Sequence, residues 1–257
     1  MKKDTSWEKV GTWYDRIVGK KGSYYHTSLI FPNSLRLLDL KAGDSLLDLG
    51  CGNGAFARHL PKKVSYVGLD AAKELIKRAK SSSKHPFLVQ DVTKSFSLKK
   101  SFTAVTFILS LQNMCDLDGA FTAAKKHLEP AGKLLLVLNH PYFRIPRHSG
   151  WVVDEKNKLQ SRRVDRYMER LEIPITMHPS QKDSPVTYSF HRTLQDHVKA
   201  LRKQGFCVVD IEEWTSDKKS AGRLAKMEDR ARKNFPLFLA ILCEKSPIVQ
   251  EVSTPKK

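Results

Sequence analysis

The chain has 257 residues, of which 40% are hydrophobic, and a formal net charge of +18 at pH 7. This length suits one α/β domain with an insertion, and the apolar content is enough for a sizeable core. No apolar run approaches the roughly 18 residues that a membrane helix needs, and no apolar stretch follows the basic N-terminus as in a secretory leader. We therefore expect a cytoplasmic protein without membrane contact.

Cysteine spacing and charge narrow the class of protein further. The four cysteines, Cys51, Cys115, Cys207 and Cys243, are scattered and form no Cys-x-x-Cys pair. This spacing indicates a reducing compartment and favours neither a zinc site nor a disulfide framework. The Lys and Arg residues are not concentrated in a dense basic tail, which is typical of an ordinary solvated surface. A basic chain can also bind RNA through counterion release, so an RNA partner remains open here.

Apolar periodicity predicts alternating strands and helices after an aromatic N-terminal segment. Strands are predicted over residues 45–49, 64–70, 87–91, 102–111 and 133–138, with helices over 54–60, 71–80 and 118–128 and a turn at 129–132. Further strands are predicted over 206–214 and 236–243, the last running antiparallel, after a helix over 193–204. The pattern predicts an α/β, Rossmann-like, seven-stranded, mostly parallel sheet with helices on both faces.

Periodicity is lost in the segment after the fifth strand, which is rich in proline, histidine, arginine and aromatic residues, with a possible hairpin around 154–158. We therefore divide the chain into five parts. They are an aromatic and helical segment (1–40), a Rossmann-like core (41–140), a substrate cap (141–190), the C-terminal part of the core (191–246) and a loose tail (247–257).

A glycine-rich turn follows the first predicted strand, in the sequence LLDLGCGNGAFAR at 46–58. Glycines at alternate positions, Gly50, Gly52 and Gly54, let the backbone turn tightly and approach a ligand. The start of the next helix directs free N–H groups toward the turn. Taken alone, Gly50-x-Gly52-x-x-Ala55 also fits a dinucleotide-binding turn, so the motif alone does not decide the cofactor.

Carboxylates at successive strand ends discriminate between the cofactors. Asp48 precedes the glycines and suits an ammonium group rather than a pyrophosphate. Asp70 ends the second strand, where nucleotide-binding folds place an acid for ribose hydroxyls. Gln90 and Asp91 end the third strand and suit an adenine amino group.

Together these segments resemble a known family. LDLGCGNG at 47–54 is similar to motif I of the class I S-adenosylmethionine-dependent methyltransferases, and VGLD at 67–70 resembles motif II. Residues 128–138 resemble the family's approach to strand five, with Ala131 where glycine is usual. The resemblance covers about residues 40–140. It implies S-adenosylmethionine as methyl donor and S-adenosylhomocysteine as product, and it sets a dehydrogenase aside.

The resemblance also implies roles for individual residues. Gly50 and Gly52 hold the methionine part of the cofactor, Asp48 its amino group and Asp70 the ribose. An N-terminal segment closes over the cofactor, and Ser110 to Gln112 line the sulfonium side. The implied cofactor-binding residues are Tyr14, Tyr25, Asp48, Gly50, Cys51, Gly52, Asp70, Ala71, Asp91, Val92, Ser110 and Leu111. No metal is expected.

The residues that bind the methyl acceptor are harder to predict from the sequence. Methyl transfer depends on alignment of the reactants and exclusion of water more than on a particular catalytic group. Ligands of open α/β sheets lie beyond the carboxyl ends of the strands. We therefore expect His140, His191 and Tyr142 as catalytic candidates, the histidines acting as base or orienter. We expect Arg144, Tyr188 and Arg192 as candidates for substrate contact.

The sequence is compatible with three functions. The main expectation is methyl transfer to an oxygen, nitrogen or carbon atom of a small molecule. The basic cap, with arginines such as Arg144, Arg147 and Arg162, keeps an RNA methyltransferase open. A non-catalytic binding protein that retains the fold is the third. The oligomeric state is not predicted.

Overall fold

The computed structural model describes residues 22–176 and 184–246, together with Trp7, Glu8, Gly11 and Gly19. Within these residues the strands are β1 Ser45–Leu49, β2 Ser65–Asp70, β3 Phe87–Val89, β4 Phe102–Ile108, β5 Leu128–Asn139, β6 Ser149–Asp154, β7 Leu159–Val164, β8 Leu171–Thr176, β9 Val186–His191, β10 Phe206–Trp214 and β11 Phe238–Lys245. The α-helices are α1 Phe31–Leu38, α2 Lys73–Ser82, α3 Leu117–His127, α4 Leu194–Lys203 and α5 Ala225–Asn234. Shorter helical segments are His26–Ile30, Phe56–His59 and Leu111–Asn113.

Seven strands form the main sheet in the order β10-β11-β5-β4-β1-β2-β3. β1 to β5 run parallel to one another, and β11 runs antiparallel to both β5 and β10. The predicted fold class is therefore confirmed. Strand order reverses between β1 and β4, which is the switch point where open α/β sheets bind ligands beyond the carboxyl ends of their strands.

Alternation of side chains along the strands divides the core between the two faces of the sheet. Leu46 packs in one cluster with apolar residues of α1 and α2, whereas Leu47 packs in the other with residues of α3 and α4. Successive strand residues point to opposite faces, so a sheet covered on both sides buries nearly every position. The rings of Phe107 on β4 and Phe121 on α3 meet edge to face at 6.1 Å.

Two local predictions were wrong. The helix predicted over 54–60 is a single short 3₁₀ turn, Phe56–His59, between Gly54 in a left-handed conformation and Pro61. The turn predicted at 129–132 lies within β5, which runs without interruption from Leu128 to Asn139. Pairing with β4 shifts register there, so these residues form an irregularity in the strand rather than its approach.

The segment between β5 and α4 contains two hairpins outside the main sheet. β6 pairs with β7, and β8 pairs with β9, each in its own two-stranded sheet. The predicted hairpin around 154–158 is present as the turn between β6 and β7. Arg223, just before α5, forms an ion pair with Glu155 at 2.6 Å and so connects the first hairpin to the C-terminal part of the chain.

Among the helices of the described residues, none combines the length and the apolar character required to cross a membrane.

Candidate active site

The turn after β1 is built from three glycines in the left-handed backbone region. The φ angles are +79° at Gly50, +56° at Gly52 and +70° at Gly54. A Cβ added at Gly50 would lie 2.4 Å from the Cβ of Ser110, so the turn passes directly against the segment that follows β4. The N–H groups of Gly50 and Cys51 both donate to the carbonyl of Leu69. The turn is thereby fixed to both strands that neighbour β1.

Asp48 lies buried beneath this turn. Its carboxylate accepts one hydrogen bond from the Tyr66 hydroxyl and one from the Thr106 hydroxyl, each at 2.9 Å. Burial raises the pKa of Asp48 to about 6, because desolvation disfavours the charged form. A cation placed above the turn would stabilise the charged form of this buried carboxylate. Asp48 therefore suits the amino group of an amino-acid ligand.

Asp70 organises the turn from the end of β2. One carboxylate oxygen accepts the N–H of Gly52 at 2.9 Å, and the other accepts the N–H of Ala72 at 2.8 Å. Burial raises the pKa of Asp70 above its ordinary value. A carboxylate offers about four acceptor positions, so capacity for hydroxyl donors remains after these two bonds. Ala71 lies exposed between them.

The third acidic position, Asp91, is exposed just beyond β3. Its Oδ1 accepts from both the N–H and the hydroxyl of Thr93, which fixes the direction of the carboxylate. Val92 is buried and anchors the loop. Asp48, Asp70 and Asp91 thus lie at or just beyond the carboxyl ends of three adjacent strands, as the sequence predicted.

The segment after β4 forms the other wall of the turn. Ser110 is buried, and its hydroxyl donates to the carbonyl of Leu49 at 2.8 Å. Leu111 is fully buried, and its side chain belongs to the core, so only its backbone can face a ligand. Cys51 is also buried beside Asp48 and Asp70, and burial raises the pKa of its thiol well above the usual range.

Of the two N-terminal tyrosines predicted at the cofactor, Tyr14 lies outside the described residues. Tyr25 is described, and its contacts are with residues of β11 and of the segment after β10. Its hydroxyl bonds to Ser216 at 2.9 Å, and its ring lies 5.7 Å from the ring of Phe238. These contacts put Tyr25 beside the β10–β11 part of the sheet.

His140 is buried directly after β5, with both ring nitrogens engaged. Nε2 donates to Glu213 at 2.7 Å, while Nδ1 accepts the N–H groups of Tyr142 and Phe143. Burial lowers the pKa of His140, against the opposing effect of Glu213. The ring is therefore neutral and has no unused lone pair for a proton. This geometry favours the orienting role over the base.

His191 and Tyr142 meet through Tyr167. The Nε2 of His191 donates to the Tyr167 carbonyl at 2.8 Å, and burial lowers the pKa of this histidine. The ring of Tyr142, which is partly exposed, lies 4.6 Å from the ring of Tyr167. A cavity of about 280 Å³ opens here, lined by His140, Pro141, Tyr142, Phe143, Tyr167, Leu194 and Glu213.

A second, narrower cavity contains both arginines predicted for substrate contact, Arg144 and Arg192, together with His191. Tyr188 does not line either cavity and pairs with Pro174 inside the second hairpin. The sequence interpretation missed Glu213 and Tyr167. Glu213 lies near the end of a correctly predicted strand, which was the available signal, whereas nothing local marks Tyr167.

Comparison with known proteins agrees with this geometry. A family model described as a methyltransferase domain matches residues 23–178, which is more than half of the chain, and the chain belongs to this family. A solved S-adenosylmethionine-dependent methyltransferase of Mesorhizobium loti superposes with a TM-score of 0.64 at 25% identity, covering 83% of this chain and 96% of the other. The protein is therefore an enzyme that transfers methyl groups, and its cofactor is S-adenosylmethionine.

Two curated relatives illustrate the range of the family. The uncharacterized protein MJ1252 of Methanocaldococcus jannaschii is 25% identical over 79% of this chain and 78% of its own length. The dTDP-3-amino-3,6-dideoxy-alpha-D-glucopyranose N,N-dimethyltransferase of Streptomyces fradiae is 28% identical over 50% of this chain and 52% of its own length. The second match thus spans about half of each protein.

The close approach at Gly50 predicts the effect of a single methyl group. Gly50→Ala should abolish binding of S-adenosylhomocysteine in calorimetry, because the added Cβ meets Ser110 and strains a left-handed backbone. Gly43→Ala is the matched control, since Gly43 is also left-handed, at φ +99°, but a Cβ added there would have no heavy atom within 4 Å. Equal binding by the two variants would contradict this account of the turn.

The raised pKa of Asp48 predicts that cofactor binding depends on pH. In the free protein the raised pKa lowers the free energy of unfolding as pH rises from about 4 to about 6. A bound amino group lowers that pKa and releases the proton. Affinity for S-adenosylhomocysteine should therefore rise about tenfold between about pH 5 and about pH 7, with proton release near pH 6.

Calorimetry in buffers of different ionisation enthalpy measures both quantities. The Asp48→Asn variant should bind S-adenosylhomocysteine more weakly, and its affinity should not depend on pH in this range. The control Asp118→Asn, which alters an exposed ion pair with Lys203, should retain the pH dependence. Wild-type affinity that is the same at both pH values would rule out the role assigned to Asp48.

Proposed function

We propose that the enzyme moves the methyl group of S-adenosylmethionine to an oxygen, nitrogen or carbon nucleophile of a small molecule. The observation that carries this proposal is the cavity of about 280 Å³ beside the loop after β5. Sites for small ligands occupy about 300–1,000 Å³ and are lined mainly by apolar and aromatic groups. The Streptomyces fradiae relative is named for an amino-sugar nucleotide acceptor, which also supports a small molecule.

The residues at the β1–β3 end fit the cofactor. Asp48 is a buried carboxylate that suits the amino group, and the absence of a Cβ at Gly50 lets the turn pass directly against Ser110. Asp70 would take the ribose hydroxyls, and Asp91 with the Val92 N–H would take the adenine edge. When bound, S-adenosylmethionine supplies an electrophilic methyl group on a sulfonium. The protein contributes alignment of the acceptor and exclusion of water.

The two histidines would then have different functions. His140 is a positioning residue, because its neutral ring ties Glu213 to the loop that carries Tyr142. His191 donates through Nε2, so the lone pair of its neutral ring is on Nδ1. Since His191 also lines the narrow cavity, it is the better base when the acceptor has a proton to lose.

An RNA acceptor is the second candidate, and the net charge of +18 favours it. Binding that neutralises phosphates releases counterions, so its affinity falls steeply with salt concentration. The two candidates therefore differ in the size of the labelled product and in salt dependence.

A methyl-transfer assay with labelled S-adenosylmethionine separates the candidates. The enzyme is incubated with a metabolite extract or with total RNA, and label is measured in each. We expect label in low-mass products. Asp70→Ala should lose this activity and weaken binding of S-adenosylhomocysteine by about 1–3 kcal/mol, because buried hydrogen bonds to the ribose are lost.

Exposed Asp118 again offers a control, since Asp118→Ala should leave labelling unchanged. Label confined to RNA, with steep loss at high salt, would replace the proposal by the RNA alternative. Absence of label from both fractions, with cofactor binding intact, would contradict both acceptor classes as tested.

A further inference from the structure

A narrow cavity lies beyond the carboxyl ends of β4 and β5. Gln112 contributes from the segment after β4, Asn139 ends β5, and Arg144 follows in the next loop. His191 and Arg192 close it from the end of β9. The cavity measures about 30 Å³, which is room for a compact polar group rather than for a ring. In the strand order β4 and β5 follow β1, so the cavity lies beyond the two strands next to the one that carries the glycine turn.

Arg144 brings a positive charge into this cavity without a carboxylate to balance it. Its guanidinium lies 5.0 Å from the centre of the Phe238 ring. Burial lowers the pKa of Arg144, as does the nearby charge of Arg162, which is a cation as well. Within residues 22–176 and 184–246, Arg144 has no Asp or Glu at ion-pair distance.

Arg192 is only partly satisfied by the protein. Its Nη2 donates to the carbonyls of Met114 and Cys115, each at 2.7 Å. Its Nη1 is buried and finds no hydrogen-bond partner among the described residues, nor does Oε1 of Gln112. Such orphaned polar atoms are rare in folded proteins and indicate a site that another group completes.

Several exposed arginines elsewhere in the described residues do form ion pairs. Each of several exposed arginines has an acidic partner at 2.5–2.6 Å, namely Arg36, Arg166, Arg170 and Arg223. The histidines of the cavity add no competing charge, since burial lowers the pKa of His197 to about 4 and lowers that of His191. Among the described residues, neither Arg144 nor Arg192 has an acidic partner of this kind.

Burying a cation without a counter-charge is costly, and the guanidinium fork matches an oxyanion in geometry. We propose that the methyl acceptor carries a compact oxyanion, a carboxylate or a phosphate monoester, which enters this cavity and is held by Arg144 and Arg192. This inference rests on the proposed function, which it extends to the charge of the acceptor. The positive net charge of the chain would attract such a substrate.

The narrowness of the cavity favours a terminal group on a small molecule. A phosphodiester within an RNA strand is flanked by sugars on both sides, and proteins track it with an open, exposed groove. The cofactor has a carboxylate of its own, but its amino-acid part would lie at Asp48 on β1 and at Gly50 in the following turn, whereas Arg144 and Phe238 lie over β5 and β11.

Binding of a simple anion tests the site without knowledge of the acceptor. Wild-type protein saturated with S-adenosylhomocysteine is titrated in a calorimeter with inorganic phosphate and separately with acetate, at constant ionic strength. Arg144→Gln and Arg192→Gln should each weaken anion binding roughly 10- to 100-fold, in line with the loss of a charge-assisted hydrogen bond. Arg144→Lys should restore part of it. Arg202→Gln, at an exposed position of α4, is the matched control and should bind as wild type.

Methyl transfer to matched pairs of compounds tests the substrate class. Each pair contains a carboxylate or phosphate monoester and its neutral amide, ester or alcohol, so the arms also distinguish carboxylate from phosphate. We expect label on the acids alone, a KM raised roughly 10- to 100-fold in Arg144→Gln, and unchanged affinity for S-adenosylhomocysteine. Because Arg192 also supports two backbone carbonyls, Arg144→Gln is the decisive variant, with folding checked by circular dichroism.

Three results would overturn the proposal. Equal methylation of the acids and their neutral counterparts would show that the acceptor needs no oxyanion. Labelling of RNA alone would show that the acceptor is RNA rather than a small molecule. A loss of S-adenosylhomocysteine affinity in Arg144→Gln that matches the loss of anion binding would assign the arginine to the cofactor instead. If nothing is methylated while phosphate still binds through Arg144, the proposed function fails and the anion site is supported.

Discussion

The backbone path at Gly50 is the constraint on which the site depends. The chain leaves β1 in a left-handed conformation and passes so close to Ser110 that no side chain fits between them. Ser110 in turn donates to Leu49, and Asp70 holds the N–H of Gly52 from the other side. The carboxyl end of β1 is thereby fixed between β4 and β2.

Charge divides this edge of the sheet into two halves that follow the strand order. The carboxylates of Asp48, Asp70 and Asp91 lie at the ends of β1, β2 and β3, whereas Arg144 follows β5, beyond β4. A cofactor with a cationic sulfonium and amino group suits the acidic half. An acceptor with a negative group suits the basic half. On this account the sheet topology itself brings the two ligands together across the β1–β4 boundary.

Sequence reasoning predicted the features that are local. Asp48, Asp70 and Asp91 could be placed because strand ends follow from apolar periodicity, and a tight turn follows from the glycines between β1 and the next element. Pairings between distant segments could not be predicted in this way. His140 was placed correctly after β5, but its engagement by Glu213, 73 residues away, depends on how β10 and β11 add to the sheet. The contact of Tyr25 with Ser216 has the same origin. The helix predicted after the glycine turn was wrong because Gly54 and Pro61 leave room for one short turn only.

The central claim is that the turn after β1 holds the cofactor with its reactive side toward the two arginines. A crystal structure with S-adenosylhomocysteine tests it most directly. The account predicts the amino group beside Asp48, the ribose hydroxyls on Asp70 and the sulfur facing the cavity of Arg144 and Arg192. A ligand bound away from the glycine turn, or one whose sulfur points away from β4 and β5, would contradict it.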